Sequence, residues 1–126
     1  ELARLPQVRE PLELVRHADV LLYGIGRAMD LAQRRGLSRA EQETLRAEGA
    51  VAEALGFYLN AEGHVVGGGS SLAFKPEDIG RKNRAAAVAA GRAKAEAILA
   101  VCAHHPHKLL VVDEGAALRM IELLRR

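Results

Sequence analysis

Apolar and polar positions divide the chain into short blocks that switch between helical and extended character. Glu10 to His17 carries Leu12 and Val15 on one side and reads as a short helix. Asp19-Val20-Leu21-Leu22-Tyr23 is an apolar run of strand length, stopped by Gly24-Ile25-Gly26. Ala28 to Arg35 reads as a second short helix, closed by Gly36. Ser38-Arg39-Ala40-Glu41 is a capping box, in which each end satisfies a free amide of the other, and it opens a helix to about Glu48.

The centre of the chain is less decisive. Ala50 to Leu55 is apolar without a clear period, so helix and strand both stay open, and Gly56 breaks it. Phe57-Tyr58-Leu59 and His64-Val65-Val66 flank Asn60-Ala61-Glu62-Gly63, which has hairpin composition, with Phe57 and Tyr58 read as core and rim. Gly67 to Ser71 reads as a flexible loop, and Pro76-Glu77-Asp78 as the start of a helical turn. Residues 85–103 admit two readings. Alanine propensity alone makes them one long helix. Gly91, and the polar Arg81-Lys82-Asn83-Arg84 stretch before them, favour a buried strand at 85–90 and a helix at 93–103. We adopt the second reading.

Leu109-Leu110-Val111-Val112 is a strand, and Ala116 to Leu124 a helix with Leu118, Ile121 and Leu124 on one stripe. Strands at 19–23, 85–90 and 109–112, each followed by a helix, imply an α/β fold: a three-layer, open, mainly parallel sheet covered on both faces.

Composition narrows the class. The 126 residues fit one small domain or a piece of a larger one. Apolar residues make up 49 %, yet there are only two Tyr, two Phe and no Trp, so the core must be aliphatic. Lys plus Arg number 18 against 16 for Asp plus Glu, and a net charge of +2 is too small for a surface that grips nucleic acid. The single Cys102 excludes an internal disulfide and reads as an inert thiol within the apolar run Ile98, Leu99, Val101. No signal peptide, membrane-length apolar run or polybasic anchor is seen, which points to the cytoplasm and to no membrane contact.

Ligands of open parallel sheets bind beyond the carboxyl ends of the strands, where helix amino termini supply free amides. Three such places exist here. Gly24 and Gly26 would let backbone approach an anion, with Arg27 adding charge, though a tight turn alone also explains them. Position 29 is Met, so this is not a dinucleotide-binding fingerprint. At the second place, Gly91 and Arg92 precede Lys94, in a stretch from Arg81 to Lys94 with five basic residues and no acidic one. A cation in the first turn of a helix opposes the macrodipole; a bound phosphate would account for it, and so would simple solvent exposure. At the third, Asp113 and Glu114 begin the last helix, where capping explains them without a ligand.

Glu53 is the odd residue in Ala50-Val51-Ala52-Glu53-Ala54-Leu55. A buried carboxylate needs partners, which sugar hydroxyls or Lys94 could supply; exposure on a helix is the competing reading. His104, His105 and His107 surround Pro106 without a carboxylate or cysteine at metal spacing, so neither metal nor cofactor is expected.

Four stretches, Asp19 to Ala28, Gly49 to Tyr58, Lys94 to Ile98 and Val112 to Ala117, stand in the order found in the effector-binding domain of SorC/DeoR-like sugar-sensing repressors. The chain resembles that family, and within it the branch that governs central glycolytic genes. The resemblance implies a fold like the NagB, ribose-5-phosphate isomerase and CoA-transferase group, used as a sensor and not as an enzyme. It implies a phosphorylated sugar as effector, fructose-1,6-bisphosphate being the first candidate. It also implies a homo-oligomer, and DNA contact only through an N-terminal reader domain absent here.

By matching motifs, the ligand-contacting glutamate falls on Glu53 and the phosphate-facing lysine on Lys94. Gly24, Gly26 and Gly91 line the same pocket, with Arg27, Arg92, Asp113 and Glu114 at its rim. The family's glycine pair before the lysine is here Ala90-Gly91, and its threonine before the acidic pair is Val112. Residues 1–126 are expected to be the C-terminal part of the effector domain, its first strands and their phosphate loop lying upstream. A phosphosugar isomerase or deaminase of the same fold group is the alternative, and it would need a base poised beside a sugar carbonyl.

Overall fold

The computed structural model describes residues 4–69, 77, 84–105 and 109–126. In chain order the elements are α1 (Pro6–His17), β1 (Val20–Gly24), β2 (Gly26–Arg27), α2 (Ala28–Arg34), α3 (Arg39–Ala47), β3 (Ala50–Ala54), β4 (Phe57–Asn60) and β5 (Val65–Gly68). There follow β6 (Arg84–Ala89), a 3-10 turn (Arg92–Lys94), α4 (Ala95–His104), β7 (Leu109–Val112) and α5 (Glu114–Leu124). The Pro76 to Asp78 turn and the end of the Gly67 to Ser71 loop lie outside the described residues.

Local chemistry starts several elements as expected. Pro6 opens α1, where its missing N–H is no loss, and α1 begins a turn earlier than the apolar pattern indicates. The capping box forms: Ser38 N donates to Glu41 Oε2 at 2.7 Å, and Glu41 N donates to Ser38 Oγ at 3.3 Å. Gly63 N donates to Asn60 O at 3.0 Å, closing the predicted hairpin between β4 and β5. Residues 85–103 divide into strand and helix at Gly91, whose φ of +103° suits glycine and ends the extended run.

The strands form two sheets. One is parallel, in the order β1-β6-β7, and unites the three strands that the sequence pattern groups together. The other is antiparallel, in the order β2-β3-β4-β5, and takes in the ambiguous Ala50 run as β3. The expectation of one mainly parallel sheet is therefore corrected to a mixed parallel and antiparallel α/β domain. The reason is the hairpin-rich centre, whose short turns can only join antiparallel neighbours.

Helix α4 lies between the sheets. Its Ala97, Ile98, Ala100 and Val101 share one core with Leu21, Tyr23, Ala85, Ala87 and Ala89 of the parallel sheet and with Ala52, Ala54 and Leu59 of the antiparallel sheet. Alanine on both partners lets helix and β3 come close, and the fully buried Ile98 and Val101 each contribute roughly 1.5–3 kcal/mol of burial. On the far side of the antiparallel sheet, Ala28, Ala32 and Leu45 of α2 and α3 pack with Tyr58.

One expectation about burial is overturned. Among the described residues only one face of the parallel sheet is covered: Val20, Leu22, Val88, Leu109 and Val111 alternate with the core positions and are exposed, Leu22 to 69 %. The Leu118, Ile121 and Leu124 stripe of α5 faces outward; the helix buries Ala116 and packs Met120 against the core. Amphipathic period identifies a stripe but not its neighbour.

Candidate functional site

At the carboxyl end of the parallel sheet, strand ends bring three predicted segments together. β1 leaves the sheet at Gly24, and Ile25 N donates to Val88 O, holding the Gly24-Ile25-Gly26 turn beside the end of β6. Gly26 has no room for a side chain: a Cβ there would sit 2.7 Å from Leu31 Cδ2. Val112 pairs with Ala89, so Asp113 lies just beyond the sheet next to the segment that leads to Gly91.

The turn after β6 is firmly tied. Gly91 N lies 3.0 Å from both carboxylate oxygens of Asp113, and Ala116 N donates to Asp113 Oδ1 at 2.9 Å. These two N–H groups, Gly91 first, hold the Asp113 carboxyl below its usual range. The Gly91 amide is therefore taken by protein. Arg92 Nη2 donates to both oxygens of Glu122, at 3.0 and 2.7 Å, and Arg119 Nη1 donates to the same carboxylate at 2.8 Å. Glu114 is exposed in the first turn of α5.

Lys94 does not stand in the first turn of α4, as the sequence suggests, but ends the 3-10 turn that precedes it. Lys94 N donates to Gly91 O at 2.9 Å, and its ammonium has no ion pair among the described residues. The amides of Arg92 and Ala93, first in the turn, have no acceptor among the described residues, and Gly91 supplies no side-chain cap. A cavity of about 470 Å³ abuts this turn, lined by Arg27, Arg92, Ala93, Ala95, Glu96 and Arg119 with Leu123. Arg27 reaches Asp30 at 3.6 Å across its exposed flank.

Glu53 is buried, as its apolar setting implies, but its partner is not Lys94. Arg35 Nη2 donates to Glu53 Oε1 at 2.8 Å, and Gly56 N donates to the same oxygen at 2.7 Å. Leu55 (φ +54°) and Gly56 (φ +87°) form the tight turn that presents this amide. Glu53 Oε2 has no partner among the described residues. The cross-strand neighbour Tyr58 is buried in the core with its hydroxyl unpartnered, and burial pushes its phenol pKa up. A second cavity, about 610 Å³, opens beside Arg35, Leu37, Thr44, Tyr58, Gly67 and Gly68.

Glu53 and Lys94 thus belong to adjoining but separate constellations, joined through the Gly26–Glu53 pairing of β2 and β3. Sequence reasoning missed Arg35 and Tyr58. The Arg34-Arg35-Gly36 helix end carries a charge signal, but nothing in it points to Glu53. Cys102 is half-buried and burial pushes its thiol pKa up, as suits an unreactive packing residue. Among the described residues no group of three His, Cys, Asp or Glu gathers as metal ligands, and no helix is long and apolar enough to cross a membrane.

Residues 1–122 match the family model described as "Putative sugar-binding domain". The chain belongs to this family. Two curated relatives of this sugar-binding domain family are the Central glycolytic genes regulators of Bacillus subtilis, 39 % identical, and Priestia megaterium, 34 % identical. Each match runs over 116 residues, 92 % of this chain and 34 % of the relative, so the chain spans about a third of their length.

Among solved structures, a "putative SorC family transcriptional regulator" from Enterococcus faecalis is 33 % identical with a TM-score of 0.89, over 95 % of this chain and 49 % of that one. The full-length sorbitol operon regulator SorC from Klebsiella pneumoniae shares the fold at 20 % identity and a TM-score of 0.78, over 94 % of this chain and 40 % of that one. The SorC-type assignment read from the four sequence stretches thus stands, with a mixed α/β domain as its fold.

Proposed function

We propose that this chain is the C-terminal part of the effector-binding domain of a transcriptional regulator of carbohydrate metabolism, and that it holds one phosphate of a phosphorylated sugar at the Arg92–Lys94 turn. The observation that carries this reading is the turn itself: two backbone amides and a Lys94 ammonium without partners among the described residues, at the carboxyl end of a parallel sheet. Such donors match the oxygens of a phosphate. Gly24 and Gly26 border the same corner, with Arg27, Arg92, Asp113 and Glu114 around it. The unpartnered Oε2 of Glu53 is suited to accept from a sugar hydroxyl.

The relatives are named as regulators of central glycolytic genes, which favours a sugar phosphate of glycolysis, and we take fructose-1,6-bisphosphate as the first effector to test; an upstream half of the pocket and a separate N-terminal DNA reader are part of the same proposal. A homo-oligomer, a cytoplasmic setting and the NagB, ribose-5-phosphate isomerase and CoA-transferase fold group complete the proposal. The isomerase or deaminase alternative has no support from the site, because Glu53 is tied to Arg35 and Gly56 and is not poised as a base.

Calorimetry on the full-length regulator tests the reading. Lys94→Ala should weaken binding of fructose-1,6-bisphosphate or glucose-6-phosphate by about 2 kcal/mol, roughly 30-fold, as expected for a lost charged hydrogen-bond partner. Unchanged affinity would make Lys94 a surface residue, and wild-type indifference to every sugar phosphate would remove the sensor reading.

A further inference from the structure

Resting on the assignment of the Arg92–Lys94 turn to a phosphate, we propose that Asp113 is the positioning residue of that subsite. It sets the direction of the turn's free amides and of Lys94 without touching the ligand. Three observations support this.

First, both Asp113 oxygens lie 3.0 Å from Gly91 N, and Oδ1 also accepts from Ala116 N, so the carboxylate is committed to backbone on two sides. A phosphate dianion would be repelled by this group, which excludes it as a ligand contact but not as a brace. Second, Gly91 has φ +103° and open space where a side chain would stand, so no contact of its own holds it in place. The Asp113 carboxylate ties its amide, while Gly115 of α5 packs against the Arg92 backbone that follows. By occupying the Gly91 amide, it leaves the next two, Arg92 and Ala93, as the pair offered to an anion.

Third, α5 grips the same turn again nine residues further on. Glu122 holds the Arg92 guanidinium with both oxygens, and Arg119 on the preceding helical turn steadies Glu122. Helix α5 therefore splints the turn at its entry, through the backbone of Gly91, and at its first residue, through the side chain of Arg92. A donor set held in place before the ligand arrives loses less entropy on binding. Asp113, which caps α5, thus has a second use beyond capping, and it acts across a sequence gap that capping alone would not need.

Asp113→Asn separates the two uses. Asparagine caps as well as aspartate, so α5 should persist. Its Oδ1 can still accept from Ala116 N, but the amide NH2 in place of Oδ2 would lie beside the Gly91 N–H, donor against donor, and weaken the tie to Gly91. The full-length regulator would be titrated calorimetrically with fructose-1,6-bisphosphate and with glucose-6-phosphate. Asp113→Asn should raise Kd at least about tenfold, with α5 retained by circular dichroism and only a modest fall in thermal midpoint from the lost charged bonds, and Glu122→Gln should raise it several-fold. In a Lys94→Ala background the Asp113→Asn effect should shrink well below the product of the single effects, because both act on one phosphate.

Wild-type binding with unchanged affinity in Asp113→Asn, or losses that multiply fully, would overturn this proposal and leave the sensor reading intact. Should Asp113→Asn fail to fold, Glu122→Gln decides, and unchanged affinity there is equally fatal. No binding of either sugar phosphate by wild type would overturn both readings.

Discussion

Replacing Glu53 gives the sharpest test of how the domain is held together around its site. The side chain is 6 % exposed, whereas its partner Arg35 is 44 % exposed. Two donors meet on one oxygen, the Arg35 guanidinium at 2.8 Å and the Gly56 amide at 2.7 Å. The ion pair must be discounted, since a half-exposed arginine recovers water when its partner is lost; about 0.5 kcal/mol is reasonable. The Gly56 amide is half-buried and belongs to the tight turn that joins β3 to β4, so its charged bond is the larger item, about 1.5–2 kcal/mol.

Glu53→Gln keeps a neutral acceptor for Gly56 and should lose only about 1 kcal/mol. Glu53→Ala loses both bonds and leaves a small void, for a total of about 2–3 kcal/mol. Urea unfolding followed by circular dichroism reads both, as a fall in midpoint at constant slope. Arg35→Ala should fall between the two glutamate variants, because it leaves the buried carboxylate with the Gly56 amide alone and no countercharge. A Glu53→Ala cost below about 0.5 kcal/mol, the range of ordinary surface substitutions, would refute the claim that this carboxylate anchors the β3–β4 turn.

Three further outcomes follow from the same geometry. Gly68→Ala should cost at least about 2 kcal/mol, since φ is +84° and a Cβ would strike the Gly56 carbonyl, whereas Gly36→Ala (φ +69°, open space) should cost about 1 kcal/mol; equal losses in urea titrations would contradict this. Leu22→Ser and Val111→Ser on the open face of the parallel sheet should change stability by less than about 0.5 kcal/mol and reduce self-association in sedimentation runs, and unaltered association would show that the face is not adhesive. The third concerns acid. Asp113 has a depressed pKa, so its contribution is complete above the ordinary carboxyl value of 3.8 and is lost as pH falls through its lower folded value. Asp113→Asn should therefore flatten part of the acid unfolding limb below about pH 4, with Glu122 and Glu41, also depressed, retaining the rest; superimposed limbs would refute the assignment.

Much of the local structure was readable before any coordinates. The capping box at Ser38, the hairpin turn at Asn60 to Gly63, and the change from strand to helix at Gly91 are written in residues a few positions apart. Each depends on backbone groups that only those neighbours can satisfy. The same holds for Glu53: a carboxylate in an alanine-rich run announces that something unusual is buried there. The family stretches, being short and ordered along the chain, were likewise legible as sequence.

What the sequence left open were choices between partners of equal chemical merit. Ala50 to Leu55 has no period to follow, and became a strand because β2 and β4 offered it hydrogen bonds while α4 covered Ala52 and Ala54. Arg35 rather than Lys94 met Glu53, because the end of α2 lies on the Tyr58 face of the antiparallel sheet. The outward Leu118 stripe and the bare face of the parallel sheet are decided in the same way: amphipathicity fixes which residues share a face, not what lies opposite. The tie between Asp113 and Gly91 spans 22 positions and exists only because β6 and β7 end side by side. Propensity and capping act through neighbours in the chain; partner choice depends on how strands and helices converge in space, which no short window of sequence contains.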